Sequence, residues 1–196
     1  MFEKRLNESA ARHLTRRINP LHSGVGPMVE MTGRQILLLA SNDYLGLAMH
    51  PEVIQASVEA TQRFGAGAGA ARLISGSLPP HQDLESALAQ FKGTEAALTF
   101  SSGYLANIGT IPALIEQGGL ILADRLCHAS LIDGCRLSAA DFRVYRHNDI
   151  GHLQSLLAKR RRARRTLIVT DGLFSMDGDL APLPELSRLA QAYEAD

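Results

Sequence analysis

No excess of charge of either sign is present. Twenty Lys and Arg balance twenty Asp and Glu, so no global field favours nucleic acid or an anionic membrane. Cysteine is almost missing: Cys127 and Cys135 are the only two and form no C-x-x-C pair. Such usage in 196 residues points to a reducing compartment. Long apolar runs are missing too, and none approaches the roughly 20 residues that span a bilayer. The charged start, MFEKRLNESAARHLTRR, lacks the apolar segment of a secretory signal. A cytoplasmic location is the resulting expectation. What remains is ordinary globular composition, 45% hydrophobic and 20% charged, in a chain long enough for one good core. The one basic run, KRRRARR at 159–165, reads as a solvated helix end and loop rather than a nucleic-acid patch.

Phe2, Leu6, Ala10 and Leu14 recur at near-helical spacing and predict an amphipathic helix within the first 17 residues. PMVEMTGRQILLLA (27–40) predicts two strands turning at Thr32-Gly33. Pro51 starts a helix that runs to Phe64, and another covers about 80–92 before Gly93. Strand and helix then alternate. Strands are expected over 96–100, 120–123, 142–146 and 166–170, and helices over 104–116, 129–138, 150–160 and 184–194. Short connections in such a series imply an α/β fold, a mostly parallel central sheet with flanking helices. Ligands on such sheets bind at the carboxyl ends of the strands. The last helix, unlike the earlier ones, has no strand after it, so the chain reads as part of a longer protein.

Four stretches invite a chemical reading. TLIVTDGLFSMDGD (166–179) places Asp171, Asp177 and Asp179 after a strand. A calcium loop counted from Asp177 would need ligands where Ala181 and Arg188 stand, and Gly where Pro182 stands, so that reading fails. FGAGAGAARLISG (64–76) loosely matches a dinucleotide fingerprint, but a helix precedes it where a strand is required. LTFSSGYLAN (98–107) runs into a helix through Ser101, Ser102 and Gly103, whose amides and hydroxyls suit an anion such as phosphate. A serine cap on a glycine turn explains it equally well. DRLCHASLIDG (124–134) sets His128 at the start of the next helix. No G-x-x-x-x-G-K-[ST], Gly-x-Ser-x-Gly elbow or metal-type His/Cys spacing competes.

Together SNDYLGL (41–47), GAGAGAARLISGSLPPHQDLE (65–85), FSSGYLAN, CHASLIDG and VTDGLFSMDGDLAPL resemble the α-oxoamine synthases. These are fold-type I enzymes that depend on pyridoxal 5′-phosphate (PLP). The resemblance covers nearly the whole chain, with the motifs in the family's order. It implies that Ser102, Gly103 and Tyr104 contact the cofactor phosphate. His128 would stack on the pyridine ring as the catalytic histidine, Ser175 would bond the ring's phenolic oxygen, and Asp171 would face the cofactor. Asn42, Ser75 and His81 would line the substrate side, and Arg17, or its neighbour Arg16, would bind an acyl or carboxylate group. Residues 1–45 would form a helix-and-hairpin arm and 46–196 the first part of the PLP-binding domain. No metal is implied.

The same resemblance implies a decarboxylative condensation of L-alanine with an acyl-CoA thioester, pimeloyl-CoA in the biotin-synthesis branch that RLISGS and CHASLIDGCRLS favour. Glycine-using relatives are the alternative, as is a non-catalytic paralogue or partner subunit. A homodimer is expected. PLP chemistry also needs a Schiff-base lysine and an acid on the pyridinium nitrogen. The only lysines are Lys4, Lys92 and Lys159, and none follows a strand of the repeated series. The 196 residues therefore read as the N-terminal half of a PLP enzyme.

Overall fold

A computed structural model describes residues 2–160 and 165–196; Arg161, Arg162, Ala163 and Arg164 of the basic run lie outside them. The chain divides into two compact units, Met1–Ala87 and Leu88–Asp196. Among the described residues no helix is long and apolar enough to cross a membrane.

In the first unit, α1 (Phe2–Ala11) stops short of residue 17. His13 adopts a left-handed φ of 56° and the Leu14 amide donates to Ser9 O, a Schellman-type closure that ends the helix. Strands β1 (Met28–Met31) and β2 (Arg34–Leu37) form the expected antiparallel hairpin. Its two turn residues both have positive φ, 51° at Thr32 and 73° at Gly33, the primed geometry that matches strand twist. Helix α2 (Pro51–Phe64) has the expected bounds, with Pro at its first position and Gly65 as its cap. Helix α3 (Pro79–Lys92) carries the division between the units.

The second unit is built on a parallel sheet in the order β4-β3-β5. Every residue of β3 (Leu120–Asp124) is buried, as a central strand covered on both faces must be. β4 (Asp141–Tyr145) and β5 (Thr166–Val169) flank it. One face packs Ile121, Ala123, Leu167 and Val169 against Ile111 of α4 (Gly103–Leu114), Ile115 just after it and Cys135 of α5 (Ala129–Leu137). The other packs Leu120, Leu122 and Tyr145 against Leu153 and Leu157 of α6 (Ile150–Ala158) and Leu186 of α7 (Leu183–Ala192). Alternation along β3 thus feeds two layers of core.

One expectation fails: residues 96–100 form no strand. A strand exists through its ladder partner, and among the described residues no strand ladder or isolated bridge includes this segment, whose Leu98 is 68% exposed. On the other side of the sheet, Asp196 donates its amide to Thr166 O and accepts from the Ile168 amide. These even-numbered groups of β5 point away from β3, whose Leu120 amide bonds Arg165 O.

α4 and α5 approach closely at Gly134. A Cβ there would lie 2.8 Å from Asn107 O and 3.0 Å from Ile111 Cδ1. Alanine is intrinsically the better helix former by about 1 kcal/mol, so a net loss of stability isolates the steric effect. Gly134→Ala is expected to destabilise the chain by about 1–3 kcal/mol in urea unfolding.

Candidate functional site

α4 and α5 both begin at the carboxyl edge of the sheet, because helices that alternate with parallel strands run back against them. Their first turns are joined by side chains. Tyr104 Oη donates to Asp133 Oδ2 at 3.1 Å, and this bond raises the phenol above its ordinary range. Asn107 Nδ2 donates to Ser130 Oγ at 2.8 Å. Ser102 caps α4, its Oγ accepting from the Leu105 amide at 3.2 Å. The amides of Gly103 and Tyr104 precede the first helical bond, Ala106 N to Ser102 O, and no described group accepts from them. A Cβ at Gly103 would meet open space. Two outward-facing amides, a serine hydroxyl and a helix N-terminus fit a phosphate.

His128 caps α5. Its Nδ1 accepts from the Ser130 amide at 3.2 Å and lies 2.7 Å from Ser130 Oγ. Its backbone amide donates to Asp171 Oδ2 at 2.7 Å, tying the loop after β3 to the end of β5. His128, Asp171 and Ser175 line one cavity of about 480 Å³, with Cys127, Leu173, Phe174 and Met176 among its walls. Burial pushes the Cys127 thiol up to about 12, so it stays protonated and serves as an apolar wall. No lysine is among the lining residues. Lys159 follows α6, whose C-terminus lies at the opposite edge of the sheet from its Asp149 cap.

The remaining expected residues belong to the first unit. His81 lines a separate cavity of about 240 Å³ with Phe64 and Gly65, and its Nδ1 accepts from the Leu78 amide. Asn42, Ser75 and Arg17 are exposed and do not line that cavity. The glycine-rich loop is pinned by Arg72, whose Nη2 donates to Glu85 Oε2 at 3.0 Å, a pairing that raises the guanidinium further above its ordinary value.

Sequence reasoning misses one cluster. Asp124, fully buried at the end of β3, accepts from the amides of Leu126 and Asn148, each at 2.8 Å. It also faces His147 Nδ1 at 2.9 Å, while His147 Nε2 lies 2.8 Å from Asp179 Oδ2. The imidazole meets the Phe174 ring edge-on at 4.5 Å, directly before Ser175. Asp179 does sit in a turn, where the Phe174 amide bonds Asp179 O, but its carboxylate is also a partner of His147 and Asn148. The only signal was histidine followed by asparagine after a strand, and the partners lie 23 and 32 residues away.

Residues 34–195 match the family described as aminotransferase class I and II. An 8-amino-7-oxononanoate synthase from Geobacter sulfurreducens is 53% identical over 190 residues, 97% of this chain and 49% of that protein. One from Pelobacter propionicus is 52% identical over the same shares. A serine palmitoyltransferase from S. paucimobilis with bound PLP-myriocin aldimine aligns with TM-score 0.91 at 32% identity, over 99% of this chain and 49% of that one. An 8-amino-7-oxononanoate synthase from Francisella tularensis aligns with TM-score 0.64 at 29% identity, over 76% and 41%. The chain spans about half the length of the curated relatives it matches.

The bond to Asp124, with that to Asp179, raises the His147 imidazole above its ordinary value of about 6.5 against the opposing effect of burial. A raised basic group stabilises fully below its unfolded value, and that contribution fades as pH climbs through the folded one. The urea midpoint is therefore expected to fall as pH climbs above about 6.5, and His147→Gln should remove this component. An unchanged pH profile in the variant would show that the ion pairs contribute nothing to folding.

Proposed function

The chain belongs to the aminotransferase class I and II family, and from that premise we propose that it is the N-terminal half of a PLP-dependent α-oxoamine synthase. The whole protein would condense L-alanine with pimeloyl-CoA, or a pimeloyl-carrier thioester, giving 8-amino-7-oxononanoate, CO2 and CoA in biotin biosynthesis. It would act as a cytoplasmic homodimer. The observation that carries this reading is the cavity shared by His128, Asp171 and Ser175, on the same sheet edge as the free amides of α4.

When bound, PLP supplies an electron sink for the carbanion formed at the amino acid's α carbon. The Gly103 and Tyr104 amides and the Ser102 hydroxyl would donate to its phosphate. His128 would present its ring as one wall of the pocket and hold the alanine carboxylate, and Ser175 would donate to the phenolic oxygen. Asp171 holds the His128 amide and so fixes the separation of the two walls. Asn42, Ser75 and His81 would line the substrate side and Arg17, or its neighbour Arg16, would bind an acyl or carboxylate group, with residues 1–45 serving as an arm and 46–196 as part of the cofactor domain. The covalent anchor would come from outside these residues.

The second reading is a non-catalytic paralogue or partner subunit, and the assay of the whole protein separates the two. Produced at the full length of its relatives, the protein should release 8-amino-7-oxononanoate from alanine and pimeloyl-CoA. Aminoketobutyrate from glycine and acetyl-CoA, or aminolevulinate from glycine, would move it to a glycine-using branch, and no product would favour the non-catalytic reading. In that full-length protein, His128→Ala should lower turnover at least about tenfold while PLP absorbance is largely retained. Unchanged turnover would remove His128 from the mechanism.

A further inference from the structure

Ser130 is 1% exposed, and no contact of its side chain with substrate or cofactor is needed to account for it. Its hydroxyl sits between Asn107 Nδ2 at 2.8 Å and His128 Nδ1 at 2.7 Å. The polarity of this chain is fixed from one end by the backbone. The Ser130 amide, an obligate donor, also points at His128 Nδ1, 3.2 Å away. Nδ1 must therefore carry a lone pair. The Ser130 hydroxyl, with a single proton, then donates to Nδ1 and accepts from its other neighbour. That neighbour has to be the amide nitrogen of Asn107, not its oxygen. The ring proton of the neutral imidazole is left on Nε2, to which no described group is bonded.

We propose that Asn107 and Ser130 are positioning residues that lock His128 in its Nε2–H tautomer, keeping one hydrogen-bond donor turned out of the protein for an acceptor oxygen of the cavity's occupant. The occupant's role rests on the functional reading given above, whereas the tautomer lock is a property of the chain itself. Asn107 lies on α4 and Ser130 on α5, so the contact at Gly134 that sets the two helices' separation also sets this chain of bonds. Asparagine and serine are suited to it because each offers donor and acceptor in a short side chain. An aspartate at 107 would match asparagine in shape and reverse the polarity. It would accept the Ser130 proton and turn the serine lone pair toward His128.

The test is ring ¹⁵N NMR on the histidine-labelled protein, produced at the full length of its relatives and without added cofactor, with His128→Asn identifying the signal. The wild-type ring is expected as Nε2–H with Nδ1 unprotonated. Asn107→Asp should shift it toward Nδ1–H or the imidazolium. Ser130→Ala should raise the Nδ1–H population about fivefold, the loss of one hydrogen bond, and Ser130→Thr should restore the wild-type ratio. A wild-type ring protonated at Nδ1 would overturn the proposal, as would folded Asn107→Asp and Ser130→Ala chains with the wild-type tautomer. If Asn107→Asp does not fold, the Ala and Thr pair decides alone. Failure of the full-length protein to bind PLP would strike the functional reading and leave the tautomer result standing.

Discussion

A carboxylate with no surface in water organises the carboxyl edge of this sheet. Asp124 ends the central strand and cannot remain charged there without compensation. Two backbone amides and the His147 imidazole supply it, and each belongs to a loop that must take one shape to reach it. The Leu126 amide fixes the start of the loop that delivers His128. The His147 ring carries the constraint onward to Asp179 and Phe174, hence to the turn that delivers Ser175. Breaking one member would leave a buried charge unmatched, which is why such clusters hold loops more firmly than surface ion pairs do.

The second constraint is steric. α4 and α5 lie close enough for Asn107 to reach Ser130 and Tyr104 to reach Asp133, because Gly134 presents no side chain at their crossing. Two helix N-termini are thereby brought to one edge with different fates. The start of α5 is met by Asp171, which accepts from the His128 amide, whereas the first amides of α4 find no acceptor among the described residues. The side with free donors is where an anion gains most.

Much of the fold is legible in the sequence because its signals are local. Pro51 and Gly65 bracket α2, Thr32-Gly33 turns the hairpin, and apolar runs mark β3 and β5. The segment 96–100, AALTF, is apolar like those strands and fails, because ladder pairing is decided by what lies alongside. The site divides in the same way. Ser102, His128 and Ser175 follow apolar runs or precede helices, so position exposes them. Asp124, Asn107 and Ser130 look like ordinary strand and helix residues, and only contacts across 23 or more positions reveal their work. Asp179 is the instructive case: Asp177-Gly178-Asp179 carries local turn chemistry, whereas the partners of its carboxylate lie 31 and 32 positions away.

The two thiols carry a practical consequence. Cys127 and Cys135 are both buried, with burial pushing them up to about 12 and about 11, so neither offers a thiolate near neutrality. The chain also contains no tryptophan. It is therefore close to blank for both maleimide chemistry and indole fluorescence. A single cysteine or tryptophan introduced on the loop carrying Ser175 would report on that loop alone, without first stripping the protein of native background.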